Sequence, residues 1–189
     1  METLSYTPPS TLLSVARSCV VLVDYQVKLM PAIAEQDNVI RAAHRLAKVA
    51  QLFNIPLMAT EQNPQRLGPT IAPLHEYCES RLEKVHFDAC AHEGLTSTLP
   101  EGLSQVVMAG CEAHVCLLQT GLSLLQQGYQ VFVVEEASGS RRPEEKALGI
   151  RRLENAGATV ISVEMAAFEW AQTYQHPKFK ALLEIIKPL

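Results

Sequence analysis

Six short apolar runs, separated by stretches of helical periodicity, constrain this chain more than any other feature. Residues 19–23 (CVVLV) stop abruptly at Asp24. Residues 36–53 then carry Val39, Ala43, Leu46, Ala50 and Phe53 at steps of three and four, the spacing of an amphipathic helix. Further strand-like runs fall at 56–60, 105–109 (QVVMA), 130–134 (QVFVV) and 159–163 (TVISV), with a weaker one at 81–86 that charged residues interrupt. Between the last three lie helical patterns at 114–127, closed by Gly128, and at 143–156. The latter has Pro143 in its first turn and Gly157 just past its end, the expected asymmetry.

Apolar strands alternating with helices predict a parallel sheet covered on both faces. Right-handed crossovers distribute the helices to both sides. The expected fold is therefore α/β: a three-layer αβα sandwich around a six-stranded, mostly parallel sheet. No internal repeat, low-complexity stretch or long linker divides the chain, so residues 1–189 read as one domain. In open sheets of this kind ligands bind beyond the carboxyl ends of the strands, where the winding reverses. That directs attention to Asp24, Glu61, residues 84–88, the segment 110–116 and residues 135–141.

Charge and cysteine content narrow the function classes. A net charge of −4 and a pI near 5.9 give no reason to expect nucleic acid or an anionic membrane as partner. No apolar run approaches the ~20 residues of a membrane span. Residues 1–18 lack the basic start and continuous apolar stretch of a signal peptide. Five cysteines at 19, 78, 90, 111 and 116, odd in number and irregular in spacing, do not form a disulfide framework. A reducing, cytoplasmic location is expected. There is no Gly-x-Gly-x-x-Gly or phosphate loop for a nucleotide, and no Gly-x-Ser-x-Gly elbow for a serine nucleophile.

The segment Gly110-Cys-Glu-Ala-His-Val-Cys116 ends a strand on glycine and places a cysteine near the start of the next helix. Unpaired N–H groups and the positive end of the helix dipole favour a thiolate there and can hold an oxyanion. A buried structural thiol fits the same position. Asp24 ends the first strand and Lys84 falls in the third, so both lie at the same sheet edge as Cys116. A carboxylate to take the thiol proton and an ammonium to lower the thiol pKa would complete a nucleophile. Taken singly, Asp24 reads equally as a helix cap and Lys84 as an exposed strand-end cation.

The chain resembles the isochorismatase-like cysteine hydrolases, the superfamily that includes nicotinamidases and N-carbamoyl amidases. The resemblance rests on Val-Asp24-Tyr-Gln26, Thr60-Glu-Gln-Asn-Pro with Leu67-Gly-Pro-Thr70, Lys84-Val-His-Phe and Gly110-Cys-Glu-Ala-His-Val-Cys116. Gly128-Tyr-Gln-Val, Ala137-Ser-Gly-Ser-Arg141 and Pro177-Lys-Phe-Lys complete it. It implies Asp24 as general base, Lys84 as supporting cation and Cys116 as nucleophile of a C–N hydrolase working through an acyl-thioenzyme. It further implies a non-proline cis peptide between Glu112 and Ala113, with the N–H groups of Ala113 and Cys116 as oxyanion hole. Gln26, Met30, Glu61, His86, Phe87 and His114 are the expected pocket residues.

Departures from the family pattern bear on the substrate. The nicotinamidase metal cluster Asp-x-His-x-x-His is replaced by Glu61-Gln-Asn-Pro-Gln-Arg66, and no pair among the six histidines has strong ligand spacing. No metal and no cofactor is expected. Retention of Cys116 favours a small amide-like substrate over isochorismate. The resemblance also implies a homo-oligomer (dimer, tetramer or larger), and the aromatic and aliphatic stretch 168–189 is the expected subunit contact. The contrasting expectation is a non-catalytic oligomeric or ligand-binding module that retains the hydrolase fold.

Overall fold

A computed structural model describes residues 9–187; residues 1–8 of the stretch read as lacking a signal peptide, and 188–189 of the C-terminal stretch, lie outside the described residues. Six strands form one sheet: β1 Ser18–Val23, β2 Leu57–Gln62, β3 Ser80–Lys84, β4 Gln105–Gly110, β5 Gln130–Val134 and β6 Thr159–Ile161. Their order is β3-β2-β1-β4-β5-β6 and every pairing is parallel. The three-layer α/β expectation holds, with a sheet that is entirely rather than mostly parallel. β1 and β4 lie at the centre, and the winding reverses between them.

Eight α-helices are present among the described residues: α1 Gln36–Phe53, α2 Pro64–Leu67, α3 Ala72–His75, α4 Gly94–Thr98, α5 Leu118–Gln126, α6 Pro143–Asn155, α7 Val163–Ala171 and α8 Phe179–Ile186. Alternation along β1 sorts its side chains between two cores. Val20 and Leu22 pack with α1, α7 and α8, through Leu46, Trp170 and Leu182. Cys19, Val21 and Val23 pack on the opposite face with α5 and α6, through Leu124 and Leu153. Apolar residues on both faces explain why β1 and β4 read as continuous hydrophobic runs.

Four departures from the sequence reading have local causes. β3 ends at Lys84, because its partner β2 leaves the sheet at Asn63, which takes a left-handed conformation (φ 40°) ahead of Pro64. β6 ends at Ile161, because Ser162 caps α7 by accepting a 3.0 Å hydrogen bond from the Met165 N–H. The helix expected from 114 begins as a wider π-type turn at Ala113–Leu117 and becomes regular only at Leu118. The stretch after 168 packs largely on its own chain: Trp170, Leu182 and Ile186 are buried, and Trp170 Nε1 donates to Ser18 Oγ at 3.0 Å.

Two glycines let the central elements approach closely. A Cβ at Gly110 would lie 2.5 Å from Val23 Cβ, so the ends of β4 and β1 could not meet with any other residue there. A Cβ at Gly149 would come within 2.8 Å of the Ala113 carbonyl oxygen, so α6 seats directly against the turn after β4. Both contacts sit under the rim where the candidate residues gather.

Candidate active site

Three adjacent strand ends build the centre of this rim. As β1 finishes, Asp24 turns into the left-handed region (φ 57°), uncommon for a residue other than glycine. Its N–H donates to the Thr60 carbonyl at 3.1 Å and its own carbonyl accepts from the Gln26 N–H at 2.9 Å. The carboxylate is fully buried. Oδ1 accepts from Thr60 Oγ1 and Oδ2 from Lys84 Nζ, each at 2.7 Å. Lys84 thus reaches from β3 across β2 to β1. Thr60 and Gln62, two residues apart on β2, fill the space between, and Gln62 Oε1 accepts from Lys84 Nζ at 2.7 Å. Burying a charge pair is tolerated only when its hydrogen-bonding capacity is used, and here both members are supplied. Thr60 and Gln62 were quoted above only as motif residues; their signal was position at a strand's carboxyl end.

Cys116 lies on the π-type turn, buried to 6% exposure and close enough to Asp24 and Lys84 for both to act on its thiol. Burial pushes its thiol up to about 12; Asp24 adds to the rise and Lys84 opposes it. Lys84 thus acts on the thiol in the expected direction, but without lowering it below its ordinary value. Lys84 is already bound to Asp24 and Gln62, so its effect on sulfur is outweighed by desolvation and the neighbouring carboxylate. The resting group is a thiol beside a carboxylate, an arrangement suited to proton removal during attack rather than to a free thiolate.

The turn leading to Cys116 differs by one residue from expectation. The non-proline cis peptide joins Cys111 to Glu112, not Glu112 to Ala113. Cys111 still follows the sheet, its N–H donating to the Val23 carbonyl at 2.9 Å, and the chain turns only after it. The Ala113 N–H is not free for an oxyanion: it donates to the Gly139 carbonyl at 2.8 Å, with Ser140 Oγ at 3.1 Å. Among the described residues the Glu112 N–H has no hydrogen-bond partner.

Most expected pocket residues have structural work instead. Gln26 is fully buried; its Nε2 donates to the Gln62 and Gly68 carbonyls at 3.0 and 2.7 Å, and its Oε1 accepts from the Gln62 N–H at 2.8 Å. Met30 lies in the core against α1 rather than in a pocket wall. Glu61 Oε1 anchors the following loop by accepting from the Thr70 N–H and Oγ1 at 2.8 and 2.7 Å. Gln26 and Glu61 point inward because the loops they tie would otherwise leave buried polar groups unpaired. His114 Nδ1 contacts Ser140 Oγ at 3.0 Å and Glu112 Oε2 at 3.6 Å. His86 and Phe87 are exposed on the loop after β3. His86 also lines a cleft of about 230 Å³ with Lys84, Asp88 and His92. Among the described residues no group of three or more His, Cys, Asp or Glu side chains is arranged to hold a metal ion.

A doubly wound sheet with aspartate, lysine and cysteine converging beyond β1, β3 and β4 is the architecture of a hydrolase class. The isochorismatase domain matches residues 18–165, and the chain belongs to the isochorismatase family. It is 34% identical to isochorismatase domain-containing protein 2 of Homo sapiens over 171 residues, covering 90% of this chain and 83% of that protein. Among solved structures, the MAR1 ribonuclease from Caenorhabditis elegans superposes with a TM-score of 0.88 at 30% identity, covering 94% of this chain and 93% of that one. YcaC from Pseudomonas aeruginosa, solved with hexane-2,5-diol and covalent acrylamide, gives 0.84 at 25% identity, with 96% and 93% covered.

Proposed function

We propose that the chain is a cysteine hydrolase that cleaves a small amide-like C–N bond through an acyl-thioenzyme on Cys116. One observation carries this reading: a buried Asp24–Lys84 ion pair lies close enough to the only slightly exposed Cys116 thiol for both of its members to act on it. Asp24 takes the thiol proton as Sγ bonds to the carbonyl carbon, and the carbonyl electrons move to oxygen. The Cys116 and Glu112 N–H groups face the developing oxyanion, Glu112 replacing Ala113 in that role. As the C–N bond breaks, Asp24 returns the proton to the leaving nitrogen. Water then attacks the thioester, giving its proton to Asp24. Collapse breaks the C–S bond, releases the acid and returns the proton to sulfur. Lys84 keeps Asp24 placed and charged between steps.

Covalent acrylamide on the YcaC relative supports a reactive nucleophile in this family member too, and makes acrylamide a fitting probe. In the intact protein, acrylamide is expected to add once, at Cys116, as read by intact mass and peptide mapping. Cys116→Ala is expected to abolish both that adduct and amide turnover. Reaction no faster than that of a denatured-chain thiol, with a rate indifferent to Asp24→Asn, would sink the mechanism and leave the non-catalytic module. The ribonuclease name of one relative adds an RNA arm to the assay, but a net charge of −4 offers no general attraction for a polyanion. The reading also includes self-association, tested by light scattering. Val85 and Tyr174 are 83% and 75% exposed, apolar surface of the kind that subunit contacts cover. Five free buried thiols fit a cytoplasmic location.

A further inference from the structure

The segment Gly139-Ser140-Arg141, after β5, has no part in the steps above, yet it bonds to Gly110, Glu112, Ala113 and His114 of the nucleophile turn. The Gly139 N–H donates to the Gly110 carbonyl at 3.1 Å and the Gly139 carbonyl accepts from the Ala113 N–H at 2.8 Å. Ser140, 1% exposed, sets its hydroxyl between the Ala113 N–H (3.1 Å) and His114 Nδ1 (3.0 Å). The Arg141 N–H donates to Glu112 Oε2 at 3.1 Å, and Arg141 Nε donates to Glu112 Oε1. The Glu112 carboxylate is nearly buried while the Arg141 side chain is 64% exposed. A solvent-facing guanidinium is thus bonded to the side chain of Glu112, whose own N–H has no hydrogen-bond partner among the described residues.

We propose that Arg141 is a positioning residue: through Glu112 it holds the Glu112 N–H where the oxyanion develops. The proposal rests on the acyl-thioenzyme reading. A buried carboxylate that lost its cation would turn outward or draw in water, carrying the backbone of Glu112 with it. Arg141 touches neither the sulfur nor its base, so its loss should affect oxyanion stabilisation and leave thiol deprotonation alone.

Two probes separate these steps on the intact protein. p-Nitrophenyl acetate acylates sulfur through a tetrahedral oxyanion. Iodoacetamide alkylates it by direct displacement of iodide, with no oxyanion at a carbonyl. In Arg141→Ala the acylation rate is expected to fall about tenfold or more, since small displacements of an oxyanion donor are costly. KM and the iodoacetamide rate should stay within about twofold of wild type. Glu112→Gln, which keeps an acceptor for Arg141, should fall less, and the double variant no further than Arg141→Ala. Unchanged acylation overturns the proposal. So does a rise in KM alone, which would mean that Arg141 touches substrate, or an equal loss with both probes, which would mean general loosening of the turn. Failure of wild type to react with either probe at Cys116 would instead overturn the acyl-thioenzyme reading itself.

Discussion

The two sides of the rim around Asp24, Lys84 and Cys116 are built differently. On the β5 side, Ser138 and Ser140 are buried and their hydroxyls are bonded: Ser138 Oγ donates to the Val134 carbonyl at 2.8 Å, and Ser140 Oγ joins Ala113 to His114. On the β3 side, the chain leaves the sheet after Lys84 and exposes Val85, His86 and Phe87 in succession. His86 meets Lys84 only through its carbonyl, at 3.4 Å from Nζ. Buried polar groups must be paired, so the β5 side is tied residue by residue. The open side has no such requirement, and its side chains are left available to meet a ligand. On the proposed reading, precision of geometry resides on one side and choice of ligand on the other.

The largest test of that contrast lies between the sides. Asp24→Asn removes the proposed base and leaves Lys84 without its ion-pair partner. Acylation by p-nitrophenyl acetate should fall by about 10²–10⁴. Denaturation should show a loss of about 3–5 kcal/mol, the cost of a buried unpaired cation. A fall no larger than that of Arg141→Ala would remove Asp24 from the centre of the comparison.

A second effect comes from the cores beneath the rim. Burial pushes Cys78 up to about 11 and Cys19, Cys90 and Cys116 up to about 12, from an ordinary value of 9.0. The unfolded chain therefore releases these protons first as pH rises. Stability is fully present below pH 9 and is lost progressively from there towards 11 or 12. Each such thiol contributes a slope of up to about 1.4 kcal/mol per pH unit. Denaturation midpoints from pH 7 to 10.5 should bend downward above 9, and Cys19→Ala should flatten the bend. A flat profile would mean that the buried thiols ionise in the folded protein as easily as outside it.

The smallest effect belongs to the open side. His86→Ala and Phe87→Ala should leave stability within about 0.5 kcal/mol, as exposed substitutions do, and kcat within about threefold. Their influence should appear in KM and in the ranking of a panel of small amides. A large loss of kcat with KM unchanged would show that this side, too, sets geometry.

Periodicity made the three layers, the central place of β1 and the boundaries of α1 legible, because burial on both faces writes itself as continuous apolar runs and helical faces as steps of three and four. The same logic brought Asp24, Lys84 and Cys116 to one edge. It failed one residue away, at Glu112 and Ala113, because which N–H is free depends on a bond to Gly139 made across the sheet. It failed again for Gln26, Met30 and Glu61. Their places in the chain read as a pocket residue's would, but Gln26 and Glu61 turn inward to bond the backbone of residues 62–70, and Met30 turns into the apolar core.

By itself, then, the sequence determined the layered fold and the strand-end places of Asp24, Lys84 and Cys116, since both follow from local pattern and from where strands must end. Tertiary structure alone decided that Cys116 rests as a thiol, because desolvation and the competing partners of Lys84 exist only once three strands lie side by side. It also decided that the 139–141 segment bonds to the turn before Cys116: those hydrogen bonds join residues 26 to 29 positions apart, and no periodicity in the chain announces them.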